Sequence, residues 1–146
     1  MIQPEVTNER TALDTSIFIY AFEEHPTFWL VASEILRMID NGQAAGIISS
    51  LTIGELSVGP LQRGNRELAQ VYEAYISNFP NMTTVDVSRE IIRESARIRA
   101  SYGFRLPDAI HPATAVQSDA DVFITNDRRL SQFAELRVHL LSDFLH

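Results

Sequence analysis

Cysteine is absent from the 146-residue chain, which excludes disulfides and any thiolate metal site. Lysine is absent as well, and all 12 basic residues are arginine. Positive charge is scarce overall: 19 acidic residues leave a formal net charge of −7. Such a chain lacks the broad basic surface of a general nucleic-acid binder. No apolar run approaches the ~20 residues needed to cross a bilayer, so no membrane partner is expected. The segment Met1 to Arg10 lacks the basic-then-apolar order of a signal peptide, and the expectation is a cytoplasmic protein. No repeat, low-complexity tract or linker divides the chain. With 45% hydrophobic and 21% charged residues it has ordinary globular composition, so one domain over residues 1–146 is expected.

What is present is an alternation of short apolar runs with longer stretches of helical period, the mark of an α/β fold with a parallel sheet. Five strands are predicted: one beginning at Ala12-Leu13, then Ala44 to Ser49, Thr83 to Val87, Val122 to Thr125 and Val138 to Leu141. Between them, Phe28, Val31, Ala32, Ile35, Leu36 and Ile39 form one apolar stripe, ended by a helix stop at Asn41-Gly42. Leu68, Val71, Tyr72, Tyr75, Ile76 and Phe79 form a second, read as core. Ser88 is positioned to cap a further helix carrying Ile91, Ser95, Ile98 and Tyr102.

Four acids fall where such a fold gathers ligands. Asp14 ends the first strand (LDTSIFIYAF), and Glu55 lies a turn into the helix after the second (SSLTIGEL). Asp108 opens a helix behind Pro107 (LPDAIHPATA), and Asp127 follows the fourth strand (VFITNDRRL). The carboxyl ends of parallel strands share one edge, and ligands bind there where strand order reverses. Each acid also has a structural reading. Asp14 and Asp127 suit helix caps, Thr52 and Glu55 have capping-box spacing, and Asp108 suits the positive end of a helix dipole. Taken together, four carboxylates at one edge repel one another unless a cation neutralises them. Mg²⁺ or Mn²⁺, which prefer oxygen ligands, answer that requirement. Ser16, Thr125 and Asn126 are candidates to orient the acids by hydrogen bonds, local turn chemistry being the alternative. His111, three residues after Asp108, shares its helix face, but no second histidine stands at ligand spacing, and it is not assigned to the site.

These four segments, in this order and spacing, resemble the signature segments of PIN domains, and especially of VapC-type toxins from toxin–antitoxin pairs. The resemblance runs from about Leu13 to Leu130. It implies a PIN-like three-layer sandwich with a five-stranded parallel sheet flanked by helices. It implies a Mg²⁺ or Mn²⁺ cofactor, and endonucleolytic cleavage of an RNA substrate by metal-activated water. Asp14, Glu55, Asp108 and Asp127 match the family's catalytic, metal-binding quartet. The toxin branch further implies a homodimer and a partner antitoxin lying in an apolar groove. Phe22, Phe28 and Trp29 are candidates for the groove or the dimer face, and core packing explains them equally well. Two departures stand out. Pro112 follows Asp108 by four residues and is expected to kink the helix. The low positive charge means that an RNA groove must come from scattered arginines, with Arg63, Arg66, Arg128 and Arg129 the best placed or else plain surface charges. A non-toxin RNA-processing nuclease and a non-catalytic PIN-like binding module remain open. An aspartyl phosphatase would need a second Asp where Ser16 stands, and a receiver domain would need a lysine.

Overall fold

The computed structural model describes residues 5–145, so the expectation for Met1 to Arg10 falls partly outside it. Five parallel strands form one sheet: β1 (Arg10–Leu13), β2 (Ala45–Ser49), β3 (Met82–Val85), β4 (Val122–Thr125) and β5 (Arg137–Leu140), in the order β3-β2-β1-β4-β5. The helices are α1 (Ser16–Phe22), α2 (Trp29–Asp40), α3 (Leu51–Gln62), α4 (Arg66–Ser77), α5 (Arg89–Tyr102) and α6 (Leu106–Gln117). Short 3₁₀ turns at Arg128–Gln132 and Leu141–Phe144 bracket β5.

Strand side chains alternate between two cores, one on each face of the sheet. Leu13, Ile48, Val122 and Ile124 pack with α1 to α4, around Ile17, Phe18, Ile35 and Ile76. Ala12, Ile47 and Phe123 pack with α5 and α6, around Ile91, Ile98, Ala109 and Ala113. This is the predicted three-layer arrangement. Strands β2 and β4 read as nearly continuous apolar runs because both their faces are covered, while the edge strands β3 and β5 carry polar residues.

Most predicted boundaries lie within a residue or two of the observed ones. The third strand ends early, at Val85, because its partner β2 stops at Ser49. Ser50 N–H donates to the Val85 carbonyl (2.9 Å), and the next contact, Val87 N–H to Ser50 Oγ (3.1 Å), is to a side chain. The α2 stripe is buried from Val31 to Ile39. The chain then turns through Gly42 at φ +83°, a left-handed conformation that glycine adopts without strain. The α4 stripe differs from expectation: Ile76 and Phe79 are buried, but Val71 is 59% and Tyr75 45% exposed. On one side α4 has only α3, and β3 is the sheet's edge strand, so the apolar stripe is wider than the surface available to cover it.

Pro112 does not interrupt α6, which runs unbroken to Gln117. Seven consecutive residues from Ala109 to Ala115 are buried, with α5 on one side and β1, β2 and β4 within reach on the other. Packing on all sides holds the helix where propensity alone argues for a break.

Candidate active site

β1 and its neighbour β4 end side by side at the point where strand order reverses, since the chain leaves β1 toward β2 but returns through β4. A pocket of about 410 Å³ opens at this edge, and Asp14, Glu55, Asp108 and Asp127 all line it, together with Thr15, Ser16, Tyr20, His111 and Asn126. The four predicted acids therefore share one cleft, each delivered by a different element.

Asp14 lies deepest, at 7% exposure. It is not the cap of α1, a position held by Thr15 without a side-chain bond. Its carboxylate instead accepts from the Ser16 backbone N–H (3.0 Å), the Ser16 hydroxyl and the Thr125 hydroxyl. Burial still outweighs these bonds, and the Asp14 pKa is pushed above the ordinary carboxylate value. Thr125 also accepts from the Asp127 backbone N–H (3.1 Å), so one buried hydroxyl ties together two of the acid-bearing positions.

Glu55 sits in α3 and belongs to no capping box, because the helix is capped at Ser50, leaving Thr52 inside it. Its Oε1 accepts from Thr15 Oγ1 (2.6 Å) and meets His111 Nε2 at 2.8 Å. Thr15 in turn contacts Thr52 (3.0 Å). Burial pushes the Glu55 pKa up, but the bonds from His111 and Thr15 and the imidazole's field outweigh it and leave Glu55 below its usual range. His111 thus lines the same cleft and contacts Glu55, a placement the sequence reading did not assign it. It is 7% exposed, and its Nδ1 is the one buried side-chain polar atom without a partner among the described residues. With Glu55 ionised, the 2.8 Å contact is an Nε2–H donating to its carboxylate. The available signal was the three-residue spacing from Asp108 on a helix that buries both faces.

Asp108 and Asp127 form the outer end, and both have arginine partners. Arg129 grips Asp127 through Nη2 (2.7 Å) and Nε (3.1 Å), and the same Nη2 lies 3.5 Å from Asp108 Oδ2. Arg105 Nε donates to Asp108 Oδ2 at 3.1 Å. Asp127 also caps the following 3₁₀ turn by accepting from Arg129 N–H (3.0 Å), so its capping reading coexists with its place in the cleft. The Arg129 side chain holds the Asp127 pKa below the ordinary value.

Other predicted residues fall less centrally. Asn126 lines the cleft but donates to the Tyr20 hydroxyl (3.1 Å) rather than to an acid. Arg63 lines a neighbouring depression beside Glu55. Arg66 begins α4 on the surface, and Arg128 is exposed with no ion pair among the described residues. Phe22 stacks on Tyr72 (4.8 Å between centroids), and it lines a larger depression of about 520 Å³ between α1, α2 and α4. Phe28 packs against the core, and Trp29 is 40% exposed.

The family model for the PIN domain matches residues 11–136. No curated protein sequence is similar at a significant level. Solved structures share the fold. DNA-bound VapBC from Salmonella typhimurium has a TM-score of 0.70 at 21% identity, over 91% of this chain and 98% of that one. A toxin–antitoxin complex from Klebsiella pneumoniae has a TM-score of 0.64 at 23% identity, over 90% and 97%. The sarcin–ricin loop-cleaving toxin VapC20 of Mycobacterium tuberculosis has a TM-score of 0.66 at 16% identity, over 87% and 98%.

Proposed function

The chain belongs to the PIN-domain family, and on that premise we propose that it is a divalent-metal-dependent endoribonuclease, the toxin of a toxin–antitoxin pair. The observation that carries this reading is Asp14. It is a carboxylate at 7% exposure, on which only hydroxyl and amide donors converge, with no arginine among its hydrogen-bond partners. An ionised group buried in this way is costly unless a cation faces it. The donor set around it is all oxygen, which suits Mg²⁺ or Mn²⁺.

Asp14, Asp108 and Asp127 would hold the ion, which when bound supplies Lewis-acid stabilisation of phosphate charge and a more acidic water. Ser16 and Thr125 fix the Asp14 carboxylate by bonds that leave its negative charge intact. Glu55 has its Oε1 occupied by Thr15 and His111, which leaves Oε2 for the cleft. Its lowered pKa makes it a weak proton acceptor, so this geometry favours Glu55 orienting a water or contributing a ligand over acting as a strong general base.

The toxin assignment is supported by the kind of proteins that share the fold: several are toxins in complex with antitoxins. The 520 Å³ depression lined by Phe22, Leu36, Tyr75 and Phe79 is the place for an antitoxin segment. The exposed Val58, Leu61 and Val71 of α3 and α4 are an apolar surface suited to a second copy of the chain.

Total cellular RNA incubated with the protein in Mn²⁺ tests the reading, beside an EDTA control and Asp14→Asn. Discrete cleavage products that vanish in both controls are the expected result. Intact RNA in saturating Mn²⁺, with the ion shown to be bound, would move the chain to a non-catalytic PIN-like binding module.

A further inference from the structure

The outer end of the cleft already holds a cation, and it is part of the chain. We propose that Arg129 is an internal competitor for the divalent ion: its guanidinium occupies the ligand oxygens of Asp127 and Asp108 and must leave them before metal binds. This rests on the metallonuclease reading above.

Three observations bear on it. Arg129 uses Nη2 and Nε on the two oxygens of Asp127, at 2.7 and 3.1 Å, and the same Nη2 reaches Asp108 Oδ2 at 3.5 Å. The lone pairs that would face an ion thus face N–H groups, and a guanidinium and a divalent ion repel each other in one place. Second, Asp108 and Asp127 line the same pocket as Asp14, so the guanidinium holds acids of the candidate site itself. Third, Arg129 is 62% exposed and springs from a five-residue 3₁₀ turn, so the side chain has solvent to swing into.

The two-pronged grip is particular to arginine. An exposed pair of this kind is weak, so the competition is modest, and it raises the metal concentration at which the site fills without preventing filling. Arg105, which also bonds Asp108, has no contact with Asp127 and cannot span both acids. Arg128 carries the same charge one residue away and has no ion pair with any acid among the described residues. It separates contact from mere proximity of charge.

The test is direct Mn²⁺ binding, read from loss of the free-ion paramagnetic resonance signal. It compares wild type, Arg129→Ala, Arg128→Ala and Asp14→Asn, each checked for native circular dichroism. Arg129→Ala is expected to bind Mn²⁺ about two- to fivefold more tightly than wild type, the scale of an exposed ion pair removed. Arg128→Ala is expected to change affinity by less than about twofold, as a screened charge without contact. Equal gains in the two arginine variants would overturn the proposal in favour of a general charge effect. Unchanged or weaker binding in Arg129→Ala would overturn it too, and would make Arg129 a brace for the acids. Wild type binding no more Mn²⁺ than Asp14→Asn would instead sink the metallonuclease reading itself. If Arg129→Ala loses its fold, Arg129→Gln, which keeps a neutral donor, carries the same comparison.

Discussion

The inner and outer ends of the cleft hold their carboxylates by opposite means. At the inner end Asp14 is buried and held by the Ser16 and Thr125 hydroxyls, while Glu55 is held by Thr15 and His111. At the outer end Asp108 and Asp127 are half-buried and held by Arg105 and Arg129. Neutral donors fix a carboxylate's direction and leave its charge available to a ligand, whereas arginines fix and cancel it together. Burial makes the first arrangement costly, since among the described residues no arginine bonds Asp14 to offset its desolvation. Solvent makes the second inexpensive and easily reversed. On the proposed reading, the inner end is the part of the site that most needs a metal, and the outer end the part that most resists one.

The largest effect expected from breaking this contrast is at Asp14. Asp14→Asn should reduce RNA cleavage by at least about 100-fold, the scale of losing one pre-positioned electrostatic partner. The same variant should be more stable than wild type in EDTA at pH 7. The Asp14 folded pKa lies above its unfolded value of 3.8, so folding takes up a proton between the two values. The resulting cost is absent below pH 3.8 and grows as pH rises through the folded value. Added Mn²⁺ should raise the melting temperature of wild type by mass action and leave Asp14→Asn unmoved. Thermal melts with and without metal check both halves.

Next comes Thr125, which serves both ends. Thr125→Val keeps the shape but strips the donor from Asp14 and the acceptor from the Asp127 backbone. It should weaken Mn²⁺ binding by about 10- to 100-fold and cost about 1–3 kcal/mol of stability, read by denaturant unfolding. Thr125→Ser should recover most of both.

A smaller loss is expected at His111. Without the Nε2 donor, Glu55 is less well directed, and His111→Ala should lower kcat about 10-fold with little change in KM. His111→Gln, whose amide can donate, should retain more activity, as single-turnover cleavage would show. Equal losses in the two variants would mean that His111 fills space and does not direct Glu55.

The smallest effect is at the outer end. In Arg129→Ala the Asp127 pKa should rise toward 3.8, visible by carboxyl-carbon NMR titration. Because the folded Asp127 pKa is depressed, the stability it contributes is present above its unfolded value and lost as pH falls through the folded one. Wild type and variant should therefore converge in stability in acid.

Much of this was legible in the chain itself. The burial pattern of α2 and α5, the five strands and their parallel direction follow from period and spacing, which short-range sterics and the need to cover apolar surface enforce locally. The convergence of Asp14, Glu55, Asp108 and Asp127 on one edge followed from their places after strands and at helix starts. Less visible were the features that depend on what lies across the cleft. His111 looks like any lone histidine until α6 is packed against the sheet and Glu55 arrives from α3. Thr15 is only the neighbour of Asp14 until Thr52 and Glu55 close on it. Asn126 donates to the Tyr20 hydroxyl, which α1 brings within reach. The exposed Val71 and Tyr75 depend on α4 lying at the sheet's edge, and the unbroken α6 depends on burial overriding proline.

The sequence by itself thus determined the layers, the strand edge and the identity of the acids, because periodicity and chain position are properties of neighbours along the chain. Tertiary structure alone decided which acid is buried deepest, which is held by an imidazole, and which two are bridged by one guanidinium. The bonds that decide this join residues 21, 56 and 111 positions apart, and their energies depend on the dielectric that the folded protein creates.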